Sequence, residues 1–294
     1  MRIAVPDSFK TNILRLEPVN AASWLGALPE QVAALCEQWS LEPDGAVMHG
    51  GLSLVVPVKR ASEACVLRVA WPHGETALEV IALQTWAGRG AVRLLEVDDS
   101  ADALLLERLD ATRSLNTLPL EPALRVAGRL LRRLAVAAPT GVPPLSAHAI
   151  QSSQRFEGNW DALGRPFSKR LLEAARYNAA QLAPDAQRLL IHYDLYDDNV
   201  LAGSREPWLT IDPRVIAGDA EYGIAQMLWR RLEQMSSAAQ FWRAWDVLLE
   251  AAELDGVKAR AWTLVRLVDY WLWGLGIGLT IDPARCETIA AWLL

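Results

Sequence analysis

One segment in the second half of the chain has a high density of groups that can do chemistry. Residues 191–201 read IHYDLYDDNVL, and Asp212 follows in the segment LTIDP. Asp194 and Asn199 are separated by the interval found in the D-x-x-x-x-N catalytic loop of kinases. Carboxylate and amide oxygens are also the ligands that Mg²⁺ takes, and Asp212 supplies a second one. This spacing favours phosphoryl transfer, with His192 as a brace for the loop rather than as a proton carrier.

The same residues leave three other interpretations open. One is a solvent-facing loop of turn-forming residues. Another is a metal oxygenase, because His192 and Asp194 have the spacing of two ligands of a two-His, one-carboxylate site. A third ligand is usually a later histidine, whereas the remaining ones are upstream: His49, His73 and His148. The last is a serine hydrolase using Ser53, although the G-x-S-x-G spacing is missing and no histidine follows His192.

The elements that must position these residues change in character along the chain. Residues 1–45 indicate an irregular lead-in and then one helix over 27–43, followed by five short β-rich runs. A helical pattern over 75–88 follows the third run. The Gly50-Gly51 pair lies in a hairpin that would close over phosphates, and Arg68 lies on the third strand. This part of the chain is typical of a small antiparallel sheet carrying one helix.

The rest of the chain is mostly helical in pattern. Helical periods cover residues 121–138 and 168–183, and short strands return between 189 and 213. We predict an α+β protein with a β-rich domain over 1–109 and a helical domain over 110–294. The tryptophans of the last third occur at helical spacing and are interpreted as core residues rather than as a stacking platform: Trp229, Trp242, Trp245, Trp262, Trp271, Trp273 and Trp292.

The segment HYDLYDDNVLAGSREPWLTIDPRVIAGDAEYG, residues 192–223, resembles the catalytic loop and metal-binding strand of bacterial aminoglycoside phosphotransferases. Within these it is similar to the streptomycin 6-phosphotransferase and hydroxyurea phosphotransferase family. The segments GGLSLVVPV, LRVAWP, GRGAVRLLEVD and ALLLERL follow the order and spacing of the same family. The resemblance extends from Phe9 to about residue 275.

The resemblance implies a two-lobed, protein-kinase-like fold with a nucleotide-binding lobe over 1–109 and a catalytic, acceptor-binding lobe over 110–294. It implies that Asp194 is the catalytic residue that accepts the proton of the acceptor hydroxyl. It further implies that ATP is the phosphoryl donor and that Asn199 and Asp212 bind Mg²⁺. The metal would neutralise charge on the transferring phosphoryl group.

The resemblance also assigns nucleotide contacts to the first lobe. The backbone of the segment from Glu107 to Leu109 corresponds to the linker that hydrogen-bonds adenine. Glu79, on the helix, corresponds to the acid that pairs the cation of the third strand. That cation is Arg68, which with Gly50 and Gly51 would contact the phosphates.

The chain departs from the family pattern at three positions. Arg68 replaces the expected lysine, in a chain with 25 Arg and only 4 Lys. Arginine keeps the charge, but its planar fork is not interchangeable with an ammonium group. Tyr193 replaces a small residue and Tyr196 replaces a histidine. Two functions therefore stay open: a small-molecule kinase for an aminoglycoside-like or other small polar acceptor, and a catalytically impaired nucleotide- or ligand-binding protein.

Composition excludes several classes of protein. With 294 residues, 52% of them hydrophobic, the chain can bury a core, and its net charge of −6 argues against nucleic-acid binding. The longest apolar run, 271–281, is too short to cross a membrane, and three scattered cysteines favour the cytoplasm. The sequence does not identify the acceptor, does not distinguish ATP from GTP as the donor, and does not tell whether the protein is a monomer or a dimer.

Five carboxylates lie in segments expected to line the acceptor cleft: Glu157, Asp161, Asp197, Asp198 and Glu221.

Overall fold

The structure is a computed structural model that describes residues 3–17, 19–72 and 74–294. The chain divides into two units, Met1–Leu109 and Asp110–Leu294. The elements of the first unit are α1 Asp7–Leu16, α2 Ala21–Gln38, β1 Leu41–Pro43, β2 Met48–His49, β3 Ser53–Arg60, β4 Glu63–Ala70, α3 Thr76–Trp86, β5 Leu94–Asp98 and β6 Ala103–Glu107.

The first unit is built on a six-stranded antiparallel sheet in the order β1-β3-β4-β6-β5, with β2 paired to β3. Leu54, Val56 and Val58 alternate along β3 and are fully buried, as expected for a strand with one covered face. They pack in one cluster with apolar residues of α1 and α2, among them Phe9 and Ile13. Helix α3 follows β4 and contacts β5. The predicted antiparallel sheet with a helix inserted in it is confirmed.

Three expectations for this unit are wrong. The lead-in is not irregular, because Phe9 and Ile13, four residues apart, give α1 a buried stripe. Helix α2 begins before residue 27 and ends before 43, since its buried stripe starts at Ala21. Residues 41–43 instead form a short strand, β1, which makes the strand that carries Arg68 the fourth of the sheet. A three-residue strand carries no alternation that a sequence pattern can detect.

The second unit contains the longer helices. Its elements are β7 Asp110–Ser114, α4 Leu120–Leu134, β8 Val136–Ala137, α5 Leu145–Ala162, α6 Lys169–Leu182, β9 Leu189–His192, β10 Val200–Ala202, β11 Leu209–Thr210, β12 Val215–Gly218, α7 Ala225–Trp229, α8 Ala238–Ala252, α9 Gly256–Gly276 and α10 Ile281–Leu293. Its short strands form two three-stranded sheets, β11-β10-β7 and β12-β9-β8. In the described part of the chain, no helix combines the length and apolar character needed to span a membrane.

Most tryptophans of this unit are core residues, as predicted. Trp229 and Trp262 are fully buried, and Trp271 and Trp245 nearly so. Trp273 is the exception, because 52% of its surface is exposed. It lies in the last turn of α9, about three helical turns after Trp262 and on nearly the same helical face, at an end of the helix where the ring stays half exposed.

Candidate active site

The loop over residues 193–199 connects β9 to β10 and is fixed at its start by His192. The His192 ring is fully buried, and its Nδ1 accepts a hydrogen bond from the backbone N–H of Asp194 at 3.3 Å. The proton of the neutral ring therefore lies on Nε2, which is 3.4 Å from the carbonyl oxygen of Ile211. Burial lowers the pKa of His192 to about 4. The ring is neutral at pH 7 and acts as a brace, in agreement with the interpretation from the sequence.

Asn199 ties the end of the loop both to its beginning and to the next strand. Its Nδ2 donates to the carbonyl oxygen of Asp194 at 2.9 Å, which fixes the orientation of the amide and directs Oδ1 to the other side. The carbonyl oxygen of Asn199 accepts from Ile211 N at 2.9 Å and from the Thr210 hydroxyl at 3.0 Å. Asp212 follows directly, in the left-handed backbone region at φ 49°. These bonds bring the segment that carries Asp212 against the loop.

The Asp194 carboxyl group lies in a mixed electrostatic environment. Burial raises the pKa of Asp194, and the negative charge of Asp212 acts in the same direction. The charges of Arg214 and Arg266 oppose this increase, as does a hydrogen bond from the Gln226 side chain. A partly buried carboxylate with a raised pKa, close to two guanidinium groups, is suited to accept a proton from a hydroxyl group.

A buried ion pair anchors the middle of the loop. Arg231 Nε donates to Asp197 Oδ1 at 2.8 Å, and both side chains are almost completely buried. Arg231 also donates to the carbonyl oxygen of Leu115 at 2.6 Å. The pair holds the loop to the segment before α4. Asp197 therefore has a structural role, and the expectation that it lines an acceptor cleft is wrong.

The Gly218-Asp219 pair anchors β12 to the helices. A Cβ atom on Gly218 would lie 2.5 Å from the Cβ of Leu145, so only glycine allows α5 to approach this closely. Asp219 is fully buried and accepts bonds from Trp262 Nε1 at 2.8 Å and from Lys258 Nζ at 2.5 Å. Both donors lie on α9, which is thereby fixed relative to the end of β12.

In the first unit, Arg68 and Glu79 form a nearly buried ion pair. Arg68 Nη2 lies 2.7 Å from Glu79 Oε2, with 10% and 4% of the two side chains exposed. Arg68 lies on β4 between Val55 of β3 and Leu104 of β6. Glu79 lies in the first turn of α3. The contact that the resemblance implied between the strand and the helix is therefore present in the structure.

The glycine hairpin is attached to the helix that the sequence pattern missed. Gly50 N donates to the Ser53 carbonyl at 2.9 Å, which closes the turn between β2 and β3. Asn12 Nδ2 on α1 donates to the Gly51 carbonyl at 2.6 Å. Both glycines are exposed, and neither has a positive φ. Open space surrounds a Cβ on Gly51, so the fold itself does not demand glycine there.

The segment from Glu107 to Leu109 ends the first unit. The N–H of Glu107 donates to the Arg93 carbonyl at 2.9 Å, and its carboxylate accepts from Arg93 N at 3.1 Å. The Arg108 guanidinium donates to Asp44 at 2.6 Å. The Glu107 N–H is already hydrogen-bonded within the protein. Any hydrogen bond from this segment to adenine would therefore use its other backbone groups, including those of Leu109.

A cavity of about 640 Å³ opens beside Asp194, where the resemblance implies that the acceptor binds, and we call it the acceptor pocket. All its lining residues belong to the second unit. Two are carboxylates, Asp194 and Asp269, and four are arginines: Arg155, Arg214, Arg230 and Arg266. Its other polar lining residues are His148, Ser152, Asn159 and Gln226, and its apolar and aromatic lining residues are Phe156, Tyr193, Tyr196, Tyr270, Leu272 and Trp273.

Arg266 is the central residue of this pocket that sequence reasoning missed. Its guanidinium carbon lies 5.2 Å from the ring centre of Tyr193 and 5.8 Å from that of Tyr270. Tyr222 and Trp229 complete the group of rings, at 5.6 and 5.9 Å. Tyr193, one of the three departures from the family pattern, is thus one of the aromatic rings that surround the Arg266 guanidinium group. The available signal was an Arg flanked by apolar residues in the segment LVRLV of α9.

None of the five carboxylates expected to line an acceptor cleft lines this pocket. Glu157 and Asp161 lie on α5 and pair with surface arginines at 2.8 and 2.9 Å. Glu221 is buried, and one of its oxygens lies 3.4 Å from Asp255 N. Asp198 is half exposed and pairs with Arg230 at 3.4 Å.

The metal-oxygenase and hydrolase interpretations find no support in the described residues. Across 3–17, 19–72 and 74–294, no group of three His, Cys, Asp or Glu side chains could hold a metal ion. His49 lies in the first unit, His148 lies 3.6 Å from Asp269, and His73 is outside the described residues. Ser53 begins β3 and pairs with Ala70. A site with one amide and one carboxylate ligand, as Mg²⁺ on a nucleotide uses, remains compatible with Asn199 and Asp212.

Comparisons with known proteins show which family the chain resembles. The family model described as aminoglycoside/hydroxyurea antibiotic resistance kinase matches residues 38–276. The streptomycin 6-kinase of Streptomyces griseus is 36% identical over 98% of this chain and 97% of its own. The hydroxyurea phosphotransferase of Kitasatospora aureofaciens is 37% identical over 99% and 86%.

Solved structures show the same fold at low identity. Aminoglycoside phosphotransferase APH(4)-Ia has a TM-score of 0.63 at 17% identity, covering 90% of this chain and 98% of its own. A variant of that protein was solved with ADP and hygromycin B, with a TM-score of 0.59, 17% identity and coverage of 88% and 97%. Choline kinase LicA from Streptococcus pneumoniae has a TM-score of 0.56 at 14% identity, over 90% of this chain and 99% of its own. The kinase-like fold expected from the sequence is confirmed.

Proposed function

The chain belongs to the aminoglycoside/hydroxyurea antibiotic resistance kinase family, and we propose that it transfers the γ-phosphate of ATP to a hydroxyl group of a small polar acceptor. The observation that carries the proposal is the partly buried Asp194 carboxyl group at the wall of the acceptor pocket, on a residue whose backbone is held by His192 and Asn199. Its relatives are kinases, which favours a phosphotransferase over a nucleotide-binding protein without catalysis. The ADP complex of a structural neighbour supports ATP as the donor.

In the proposed reaction, Asp194 orients the acceptor hydroxyl and takes its proton. The acceptor oxygen forms a bond to the γ-phosphorus while the bond between that phosphorus and the β–γ bridging oxygen breaks, and ADP leaves. Burial raises the pKa of Asp194, which makes the carboxylate a better base than an exposed aspartate. Arg214 and Arg266 supply positive charge beside it.

Asn199 and Asp212 are the residues that would hold Mg²⁺. The bond from Asn199 Nδ2 to the Asp194 carbonyl leaves Oδ1 as the ligand atom. When bound, the metal would neutralise charge on the transferring phosphoryl group. With one amide and one carboxylate from the protein, its other ligands would be phosphate oxygens and water.

We assign nucleotide binding to the first unit and catalysis with acceptor binding to the second. Arg68 would contact the phosphates while Glu79 fixes its guanidinium group. The exposed Gly50-Gly51 turn would approach the phosphates through its backbone. The segment from Glu107 to Leu109 would contact adenine. A cytoplasmic location stays a prediction.

Acceptor-dependent release of ADP tests the proposal. We expect the wild-type protein to be stabilised by ATP with Mg²⁺ and to release ADP with at least one of a panel of hydroxyl acceptors that includes streptomycin, related aminocyclitols and hydroxyurea. Asp194→Ala is expected to abolish turnover and to keep the stabilisation by nucleotide. Asp161→Ala removes an exposed carboxylate of α5 and is the matched control. A protein that nucleotide does not stabilise and that transfers phosphate to no acceptor refutes the proposal.

A further inference from the structure

Three side chains that line the acceptor pocket come from three different elements. Tyr196 lies in the loop between β9 and β10, Arg230 directly follows α7, and Tyr270 lies on α9. The guanidinium carbon of Arg230 lies 4.8 Å from the ring centre of Tyr196. The Tyr270 ring stacks on that of the buried Trp229, with the two centres 4.6 Å apart. We call Tyr196, Arg230 and Tyr270 the pocket wall.

Asp282 of α10 connects the parts of the pocket wall from behind. The Tyr270 hydroxyl donates to Asp282 Oδ2 at 3.0 Å, and Arg230 Nη1 lies 4.0 Å from the same oxygen. The other oxygen, Oδ1, accepts from Arg285 Nη1 at 2.7 Å. Only 13% of the Asp282 side chain is exposed, and Asp282 is not among the described residues that line the pocket. One carboxylate therefore holds two members of the wall.

The position of Asp282 in its helix has a simpler explanation, which its contacts do not fit. Asp282 lies in the first turn of α10, where a negative charge by itself favours a helix. An acid that serves only the helix end accepts from free backbone N–H groups. In the described part of the chain, the oxygens of Asp282 instead accept hydrogen bonds from the side chains of Tyr270 and Arg285. The carboxylate thus joins α10 to α9.

Arg230 passes this constraint on to the loop that carries Asp194. Its charge is balanced by two carboxylates, Asp198 at 3.4 Å and Asp282 at 4.0 Å. What Arg230 gives the wall is therefore a planar group held against the ring of Tyr196. Tyr196 is also one of the positions at which the chain departs from the family pattern. Its ring reaches Asp282 only through Arg230.

We propose that Asp282 is a positioning residue of the acceptor pocket. It holds Tyr270 and Arg230, and through Arg230 the ring of Tyr196, where they bind the acceptor, and it does not contact the acceptor itself. The inference rests on the proposed function, because it gives α10 a part in binding the acceptor of that reaction. Loss of the Asp282 carboxylate therefore weakens acceptor binding and leaves the nucleotide site and the base as they are.

Steady-state kinetics of Asp282→Ala separates acceptor binding from chemistry. The acceptor is the one with the highest kcat/KM among streptomycin, related aminocyclitols and hydroxyurea. We expect its KM to rise about tenfold, as the loss of one hydrogen bond to a charged group implies, with kcat and the KM for ATP unchanged. A fall in kcat with an unchanged KM for the acceptor overturns the inference.

Two further variants show whether the effect follows the contact with the wall. Tyr270→Phe removes only the hydroxyl that donates to Asp282, and it should raise the same KM; the double variant should be no worse than Asp282→Ala alone. Tyr270→Phe carries the test by itself if thermal denaturation shows that Asp282→Ala does not fold. Glu233→Ala is the matched control, because it removes the exposed carboxylate 2.7 Å from Arg285 Nε and leaves the wall intact. An equal rise in KM in Glu233→Ala overturns the inference.

Fluorine NMR of protein labelled with 3-fluorotyrosine reports the wall without any acceptor. The chain has five tyrosines, so five signals are assigned by single Tyr→Phe variants. Asp282→Ala is expected to shift the signals of Tyr270 and Tyr196 and to leave that of Tyr177, which is 65% exposed on α6. An unmoved Tyr196 signal overturns the inference, because Asp282 then does not act on the loop through Arg230.

The outcomes separate this inference from the proposed function. An unchanged KM for the acceptor in Asp282→Ala overturns the inference and leaves the proposed function intact. If the wild-type protein phosphorylates no acceptor, the proposed function fails, and the fluorine signals still decide whether Asp282 positions the wall: shifts of both tyrosine signals support it, and fixed signals overturn it.

Discussion

The buried His192 ring makes a specific contribution to the pH dependence of stability. Burial lowers its pKa from the ordinary value of 6.5 to about 4 in the folded protein. The unfolded chain therefore binds the proton more readily, and the stabilising contribution is complete above pH 6.5 and is lost as the pH falls towards 4. Integrating between these two pKa values gives a loss of about 2 kcal/mol between pH 7 and pH 5, and about 3 kcal/mol by pH 4.

His192→Asn isolates this contribution. Asparagine keeps an acceptor near the position of Nδ1 for the Asp194 N–H, and it does not titrate. Urea unfolding of both proteins at pH 7, 6 and 5 gives the two stability profiles. We expect the wild type to be the more stable at pH 7 and to lose about 2 kcal/mol more than the variant by pH 5. A stability difference that stays constant over this range would refute the assignment of a neutral, buried brace.

Three further predictions concern one residue of the first unit, Arg68, and two residues of the second unit, Arg231 and Gly218. Arg68→Lys keeps the charge beside Glu79 but loses the planar fork, so we expect kcat/KM for ATP to fall about tenfold in steady-state kinetics, and a gain in turnover would contradict this. Arg231→Met leaves Asp197 buried without its partner and should lower the free energy of unfolding, measured by urea denaturation, by about 3–5 kcal/mol. An unchanged free energy of unfolding would show that this ion pair does not anchor the loop. Gly218→Ala adds a methyl group where Leu145 of α5 leaves no space, and it should destabilise the protein by about 1–3 kcal/mol and lower its Tm. An unchanged Tm would show that α5 can move to make room for the methyl group.

Much of the catalytic loop could be predicted from the sequence because its contacts are local. Asp194, Asn199 and Asp212 lie within one short stretch, and the hydrogen bonds that join them connect the loop to the next two strands. The pairing of Arg68 with Glu79 followed from the family resemblance, and the short connection between β4 and α3 keeps the two residues close along the chain.

The acceptor pocket could not be predicted, because its arginines come from separate elements. Arg155 lies on α5, Arg214 precedes β12, Arg230 directly follows α7 and Arg266 lies within α9. Only the packing of the helices brings them together. For the same reason Trp273 was interpreted as core, since spacing along a helix does not tell how far along its length the neighbouring elements cover it.

Transfer of labelled phosphate from γ-labelled ATP to an acceptor tests the central claim most directly. In the presence of Mg²⁺, we expect the wild-type protein to label the acceptor and Asp194→Asn to do so about 10²–10⁴ times more slowly, with unchanged nucleotide affinity, because the base has been removed. Transfer by Asp194→Asn at the wild-type rate would contradict the account.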